Sequence, residues 1–451
     1  MNNWLHLNHK LTKRSPRVVP LAIILLLVTT VILYYPFLDS PLFQDSFKHI
    51  PNNSSSAQNS TQDPSVLKRQ EGLDDGKSIE KGSTRLPKSN NSLESDSREK
   101  RKKCNLFSGE WIWNPEGPSP YYTNETCYAI QYHQNCMRNG RPDSDFLKWK
   151  WKPYECELPD FDGIQFLEIL RGKSLAFVGD SISRNHFQSL VCLLAKVEYP
   201  EDHSSSPNAQ SRLLKYESYN FTMAVFWTPY LVKSVEETSN GTPTGIINLH
   251  LDEFDEEWTS QIWKFDYVII SAGQWFFRPT KFHEQGHIVG CQFCSQQDIP
   301  HLTAFYSYQK AFQTAFKAIN TIEHYKGITF LRTFSVSHFE DGAWDKGGNC
   351  KRKRPFRRNE TSLVDYNLSM YKSQMKEFRV AKRQGRKRGL LYRLMNTTQI
   401  MLLRPDGHPS VYWQTKSDNR LGIDCVHWCL PGPIDTWNEF LLEMLKRKQS
   451  R

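Results

Sequence analysis

Apolar and polar positions divide the chain into four zones. Residues 1 to 17 are polar and basic, and Val18 to Leu38 (VVPLAIILLLVTTVILYYPFL) then runs without one charged side chain, long enough to cross a bilayer as a helix. Asp39 to Lys103 is rich in Ser, Asn, Lys and Asp, with almost no aromatic residue after Phe47, so it offers too little apolar surface to offset its ordering entropy. From Cys104 onward, short apolar runs alternate with amphipathic stretches. Ser174-Leu-Ala-Phe-Val178 reads as a buried strand ending at Gly179, and Ile182 to Ala195 (ISRNHFQSLVCLLA) has apolar residues at helical spacing. The strand pattern recurs at Asp266 to Gly273 and at Ile328 to Ser335. Between these two, Tyr306 to Tyr325 predicts an amphipathic helix with Phe312, Phe316 and Ile319 on one face, and Asp435 to Leu445 predicts a capped helix near the C-terminus. Strands alternating with helices predict an α/β fold: a doubly wound, mostly parallel sheet flanked by helices, with irregular disulfide-bonded additions. The expected organisation is a tail (1–17), a membrane anchor (18–38), a flexible stem (39–103) and one folded domain (104–451).

Charge orients the anchor. Lys10, Lys13, Arg14 and Arg17 precede the span while Asp39 and Asp45 follow it, so the positive-inside rule places the N-terminus in the cytosol and the body in the lumen, a single-pass type II topology. The run exceeds the apolar core of a signal peptide, and no small-residue cleavage pattern follows it. Its shortness suits the thinner membranes of the early secretory pathway, and the Golgi is the expected location. Acceptor sequons at Asn52, Asn53, Asn59, Asn90, Asn124, Asn220, Asn240, Asn359, Asn367 and Asn396 agree with luminal placement. All ten cysteines fall between Cys104 and Cys429. Cys291-Gln-Phe-Cys294 and Cys425-Val-His-Trp-Cys429 have zinc-site spacing, but an oxidising lumen favours bridges, which would pin the C-terminal loop; no metal is expected. The net charge of +10 comes largely from Lys351-Arg-Lys-Arg-Pro-Phe-Arg-Arg358 and Lys382-Arg-Gln-Gly-Arg-Lys-Arg388. A luminal protein meets no nucleic acid, so these patches are expected to be solvated surface loops, with contacts to an acidic polysaccharide or donor as the alternative.

Two motifs carry the chemistry. Gly179-Asp180-Ser181 lies between a strand and a helix, which places Ser181 at a helix N-terminus where backbone N–H groups favour a developing oxyanion. Asp424-Cys-Val-His427 lies in a loop before the last helix. Together they read as a split triad: Ser181 the nucleophile, His427 its general base, and Asp424 the carboxylate that orients the imidazole. The α/β-hydrolase elbow is G-x-S-x-G, whereas this chain has Gly-Asp-Ser-Ile-Ser, which points to the GDSL or SGNH layout with its Asp three residues before the His. His338 and His408 lack such an Asp and are expected to be structural, and Asp180 is expected to stabilise the turn.

Further segments make the resemblance specific: Gly140-Arg-Pro-Asp143 with Trp149-Lys-Trp151, Phe177 to Asn185, Trp275-Phe-Phe-Arg-Pro279, Ser337-His-Phe-Glu340, Gly347-Gly-Asn-Cys350, Arg404-Pro-Asp-Gly-His-Pro409, and Asp424 through Asn438. Over residues 104 to 447 the chain resembles the plant trichome birefringence-like proteins, an SGNH-type family that includes polysaccharide O-acetyltransferases. The resemblance implies bridges Cys104–Cys156 and Cys127–Cys192, leaving the other six cysteines open. It departs in one place: SGNH enzymes have an Asn as oxyanion donor in their third block, where this chain reads Ser271-Ala-Gly-Gln-Trp275. The candidate donors are therefore Gln274, Gly273, Arg184 and the Ser181 backbone N–H.

The expected reaction is acetyl transfer through an acetyl-serine onto a hemicellulose of the plant cell wall. The Gly290-Cys-Gln-Phe-Cys294 stretch resembles members acting on xyloglucan or mannan, so xyloglucan is the first choice of acceptor, then mannan or xylan. Trp275 and Trp428, with Phe276 and Phe277, are candidate sugar-stacking groups, against ordinary core packing. No cofactor is expected to be resident. An acetyl donor is required, either acetyl-CoA or an acetyl group relayed by a membrane partner, and no Gly-rich phosphate cradle is present for the former. The rival readings are an acetylesterase of wall polysaccharide, in which water meets the acetyl-serine, and a non-enzymatic protein bridging pectin or other wall polymers.

Overall fold

The computed structural model describes residues 104–449 except 118–119, 207–208 and 415–421. The expected tail, membrane span and stem lie outside the described residues.

Strand β1 (Gly109–Trp113) pairs antiparallel with β2 (Trp149–Pro153), their tryptophans Trp111 and Trp151 meeting edge to face. After helix α1 (Gly163–Ile169) comes β3 (Ser174–Gly179), and Asp180 then caps α2 (Ser181–Leu194). The chain continues through β4 (Glu201–Asp202), β5 (Arg212–Tyr216) and β6 (Phe221–Trp227), the hairpin β7 (Val232–Ser239) and β8 (Thr242–Phe254), and β9 (Tyr267–Ser271). Strands β10 (Thr280–Glu284) and β11 (His287–Gln292) precede α3 (Ala304–Thr321), β12 (Ile328–Arg332), α4 (Asp365–Arg386), β13 (Leu391–Met395) and α5 (Asp435–Gln449).

The main sheet has the order β13-β12-β9-β3-β6-β5-β4. Its first five strands are parallel, and β5 and β4 close one edge in antiparallel pairing. Successive side chains of a strand point to opposite faces, so fully apolar strands demand cover on both. Ala176, Val178, Val268 and Ile270 share one core with Phe312 and Phe316 of α3 and Phe378 of α4. On the other face, Phe177 meets His186 and Phe187 of α2. A second sheet, in the order β11-β10-β8-β7, joins the first core through Leu249 and Phe282. From β3 the chain winds first to β6 on one side and then to β9 on the other, which creates a switch point at the carboxyl ends of β3 and β9, where ligands of such sheets bind.

One surface expectation needs correction. Lys382 to Arg386 is the last turn of α4 rather than a loop, and cations there complement the helix dipole. Arg388 donates to the carbonyls of Asn320, Ile322 and Glu323 at the end of α3, while Arg352 and Arg354 pair with Glu340 and Glu360. Arg352, Arg354 and Arg388 are therefore engaged with neighbours in the fold.

Candidate active site

Glycine is required where β3 leaves the sheet. Gly179 lies level with Ser271 of β9, its φ is +152°, and a Cβ there would lie 1.6 Å from the Ser271 carbonyl oxygen. The next residue, Asp180, is an N-cap: its Oδ1 accepts from Ile182 N at 3.0 Å and Ser183 N at 3.3 Å, satisfying two of the donors that a helix start leaves unpaired. Burial raises the Asp180 pKa, against the pull of Arg332 and the amides of Ser183, Ile182 and Gly273. Ser181 is thereby fixed as the first residue of α2, nearly buried at the switch point.

The loop carrying Asp424 and His427 has almost no regular structure and is held by crosslinks. Cys425 is bridged to Cys350, and Cys429 to Cys136. Asn185 Oδ1 on α2 accepts Trp428 N at 2.8 Å, Gly407 O accepts Cys429 N at 3.0 Å, and Gln134 O accepts Leu430 N at 2.9 Å. Ser410 and Asp424 exchange backbone hydrogen bonds of 2.8 and 3.0 Å. Behind them, the Arg141 guanidinium donates to Asp406 O and His408 O and pairs with Asp143. Cys127 is bridged to Cys192, Cys291 to Cys294, and Cys104 and Cys156 are also in disulfide linkage.

These supports bring the two motifs together. Ser181 Oγ lies 2.8 Å from His427 Nε2, and His427 Nδ1 lies 2.8 Å from Asp424 Oδ2. Asp424 Oδ1 accepts Val426 N at 3.0 Å and His427 N at 2.9 Å. An ionised carboxylate only accepts, so it holds the imidazole as the Nδ1–H tautomer and leaves Nε2 free to take the serine proton. Burial alone would raise the Asp424 pKa, but the facing His427 charge and these hydrogen bonds outweigh it and hold the carboxyl well below its usual range. Burial opposes the charge on His427, yet Asp424, with Asp180 behind it, raises the imidazole above its ordinary value.

The remaining candidates divide. Gln274 Nε2 donates one of its two hydrogens to Ser335 O at 3.1 Å, and the Gly273 N–H lies toward the Asp180 carboxylate. Arg184 sits one turn after Ser181, half-buried, with its Nε unpartnered and its guanidinium 4.5 Å from the Trp227 ring centroid. The expectation of sugar stacking fails for Trp428. Its side chain is 0% exposed, donates Nε1 to Ser335 Oγ at 3.1 Å, and is stacked against His408. Trp275 is half-buried, meets Trp227 edge to face at 5.3 Å, and lies under the Arg278 guanidinium at 3.7 Å.

Sequence reasoning missed three neighbours. Trp227 ends β6 level with Gly179, a strand the sequence reading did not single out. His133 meets the His427 ring at 5.0 Å, and its pKa is pushed down to about 4 by burial and then by the His427 charge. Asn185 joins α2 to the catalytic loop; its only sequence signal was its place in the Phe177 to Asn185 segment.

Residues 158–444 match the GDSL/SGNH-like acyl-esterase family found in Pmr5 and Cas1p, and residues 102–157 match the PMR5 N-terminal domain. The chain is 55% identical to the Arabidopsis thaliana protein trichome birefringence-like 19 over 352 residues, covering 77% of this chain and 82% of that protein. It is 42% identical to xyloglucan O-acetyltransferase 4 of Populus trichocarpa over 346 residues, covering 76% and 81%, and 38% identical to xyloglucan O-acetyltransferase 2 of Arabidopsis thaliana over 347 residues, covering 76% and 83%. The chain belongs to the GDSL/SGNH-like acyl-esterase family found in Pmr5 and Cas1p, among its trichome birefringence-like proteins.

Proposed function

We propose that this chain is a polysaccharide O-acetyltransferase that acetylates a hemicellulose of the plant cell wall, xyloglucan first and mannan or xylan next, through an acetyl-serine on Ser181. The observation that carries this reading is the His427 ring joined on one side to Ser181 and on the other to Asp424, each at 2.8 Å, in a chain similar to proteins named xyloglucan O-acetyltransferases. The Ser181 hydroxyl gives its proton to His427 Nε2 while Oγ attacks the acetyl carbonyl of the donor. The donor's leaving group departs with that proton, a sugar hydroxyl then gives its own proton to His427 and attacks the acetyl carbon, and His427 returns the proton to Ser181 Oγ as its bond to the acetyl group breaks and the glycan ester is released.

The helix N-terminus at Ser181 and the half-buried Arg184 supply positive potential for the tetrahedral oxyanion. Trp275, with Trp227 beside it, is the aromatic surface for the sugar. The donor is acetyl-CoA or an acetyl group relayed by a membrane protein. We assign the catalytic domain, residues 104–451, to the Golgi lumen behind the span at 18–38, on the charge asymmetry and sequons of the sequence.

The purified chain incubated with each acetyl donor and with deacetylated xyloglucan, mannan or xylan tests the reading. Acetylated xyloglucan is expected; free acetate without acetylated glycan would make the chain an esterase, and undiminished wall binding by Ser181→Ala with neither product would make it a bridging protein.

A further inference from the structure

Two buried histidines outside the triad lie directly behind it. His338 follows β12 and His408 sits in the Arg404 to Pro409 turn; their exposures are 7% and 1%. Their rings meet through His338 Nδ1 and His408 Nε2 at 2.7 Å. The two outer nitrogens each face a main-chain carbonyl: His338 Nε2 lies 3.0 Å from Leu402 O, and His408 Nδ1 lies 2.6 Å from the carbonyl oxygen of His427 itself.

Counting protons decides the state of this pair. A carbonyl oxygen can only accept, so both outer nitrogens must carry hydrogen. The inner contact needs one more, because two bare lone pairs at that separation repel. Two neutral imidazoles supply two protons between them, and these contacts use three. We propose that His338 and His408 share a third proton as a buried cationic dyad, and that this dyad is the positioning device that holds the main chain of the catalytic base.

The surroundings contain both helping and opposing charges. Burial drives each ring toward neutrality, His338 down to about 4 and His408 well below its ordinary value. Asp406 and Glu340 on the His338 side and Asp424 on the His408 side pull the other way and are outweighed, so the third proton rests on the three contacts and not on the surrounding charge. Asp406 is itself paired with Arg404 and Glu340 with Arg352, and the Arg141 guanidinium and the His427 ring add positive charge nearby. The indole of Trp428 lies flat on His408, centroids 4.1 Å apart, and its face favours a cationic ring. The two rings titrate as one unit, and the shared proton makes the inner contact charge-assisted. Losing it would leave one of the three contacts, the inner one, the Leu402 carbonyl or the His427 carbonyl, without a donor, and where it is the His427 carbonyl the catalytic base loses its hold. The other supports of the loop, Asn185 and the two disulfides, remain in that case, so the expected consequence is a misdirected imidazole rather than an unfolded loop.

Full-length chain carrying 15N-labelled histidine gives the direct test, independent of whether acetyl transfer is the reaction. At neutral pH one ring of the pair should show both nitrogens protonated, with N–H hydrogens protected from exchange, and these signals should vanish in His338→Gln and His408→Gln. Every buried ring showing one protonated and one bare nitrogen at neutral pH would overturn the proposal. The role in positioning rests on His427 being the base and is read separately from the pH–rate profile. His408→Gln should lower kcat on the order of 10²-fold with KM little changed, and should remove a fall in rate at high pH that the unaltered chain shows. A wild-type kcat and profile in that variant would refute positioning while leaving the proton count standing on the spectra.

Discussion

The two halves of the triad are built by different means. Ser181 is placed by consecutive local structure: an apolar strand, a glycine that alone can pass Ser271, a capping aspartate and the first turn of a helix. Asp424 and His427 are placed by groups outside their own loop: Cys136, Gln134 and Arg141 from the N-terminal region and Asn185 from α2, each more than two hundred residues distant in sequence, and Cys350 and His408 from nearer loops. The nucleophile half is coded by its own residues and the base half by the assembled fold. Damage to the first should be local, whereas the second can be loosened from many directions.

The comparison is sharpened most strongly at the link between orientation and chemistry. Asp424→Asn keeps the size of the side chain but removes the charge that fixes the His427 tautomer, and it should lower the transfer rate by about 10⁴-fold. A loss within tenfold would mean that the base is oriented by something other than Asp424.

Next come the crosslinks. Cys136→Ser with Cys429→Ser removes a bridge spanning 293 residues of sequence and should cost about 2–5 kcal/mol in denaturant unfolding, with activity falling further than stability explains. Removing Cys127–Cys192, which ties α2 rather than the base loop, should destabilise comparably and leave activity closer to normal in the folded fraction. Equal activity losses would break the distinction between the halves. Asn185→Ala leaves the buried Trp428 N–H without its acceptor, a cost of about 1–3 kcal/mol in the same assay, and should lower kcat with little change in KM.

The smallest effects are those of pH on stability. The Asp424 pKa is depressed in the folded chain, so its contribution is complete above the unfolded carboxylate value and is lost as pH falls through the folded one. The His427 pKa is raised, so its contribution is complete below the ordinary histidine value and fades as pH climbs through the folded one. Stability attributable to the pair should therefore peak between the two and be absent in Asp424→Asn, while catalysis should rise as His427 loses its proton. A rate that rises with a pKa below the ordinary histidine value would contradict the raised imidazole.

The same division explains what was legible in the sequence. The Ser181 turn, β3, β9, β12, α3 and α5 all follow from periodicity and punctuation within a dozen or so residues, and the structure has them with boundaries shifted by a few positions. Helix α4 was hidden because Gln374 interrupts the stripe of Met370, Phe378 and Ala381, while its basic end reads as solvent-facing coil. Trp428 misled because an aromatic residue beside a catalytic histidine resembles a sugar platform, and only the assembled core reveals Ser335 and His408 against it. The partners of Gly273 and Gln274 were hidden for a similar reason: Asp180 and Ser335 lie on other strands' loops. Sequence showed which residues could react; the engagement of each with a distant neighbour decided which were available.

The central claim is that Ser181 carries the acetyl group in transit. Peptide mass spectrometry of the chain quenched during turnover with an acetyl donor and no glycan should find one acetyl group on the peptide containing Ser181, discharged on adding xyloglucan and absent in Ser181→Ala and His427→Ala. Acetylated xyloglucan formed at an undiminished rate by Ser181→Ala, with no acetyl group on the peptide at any time, would contradict it.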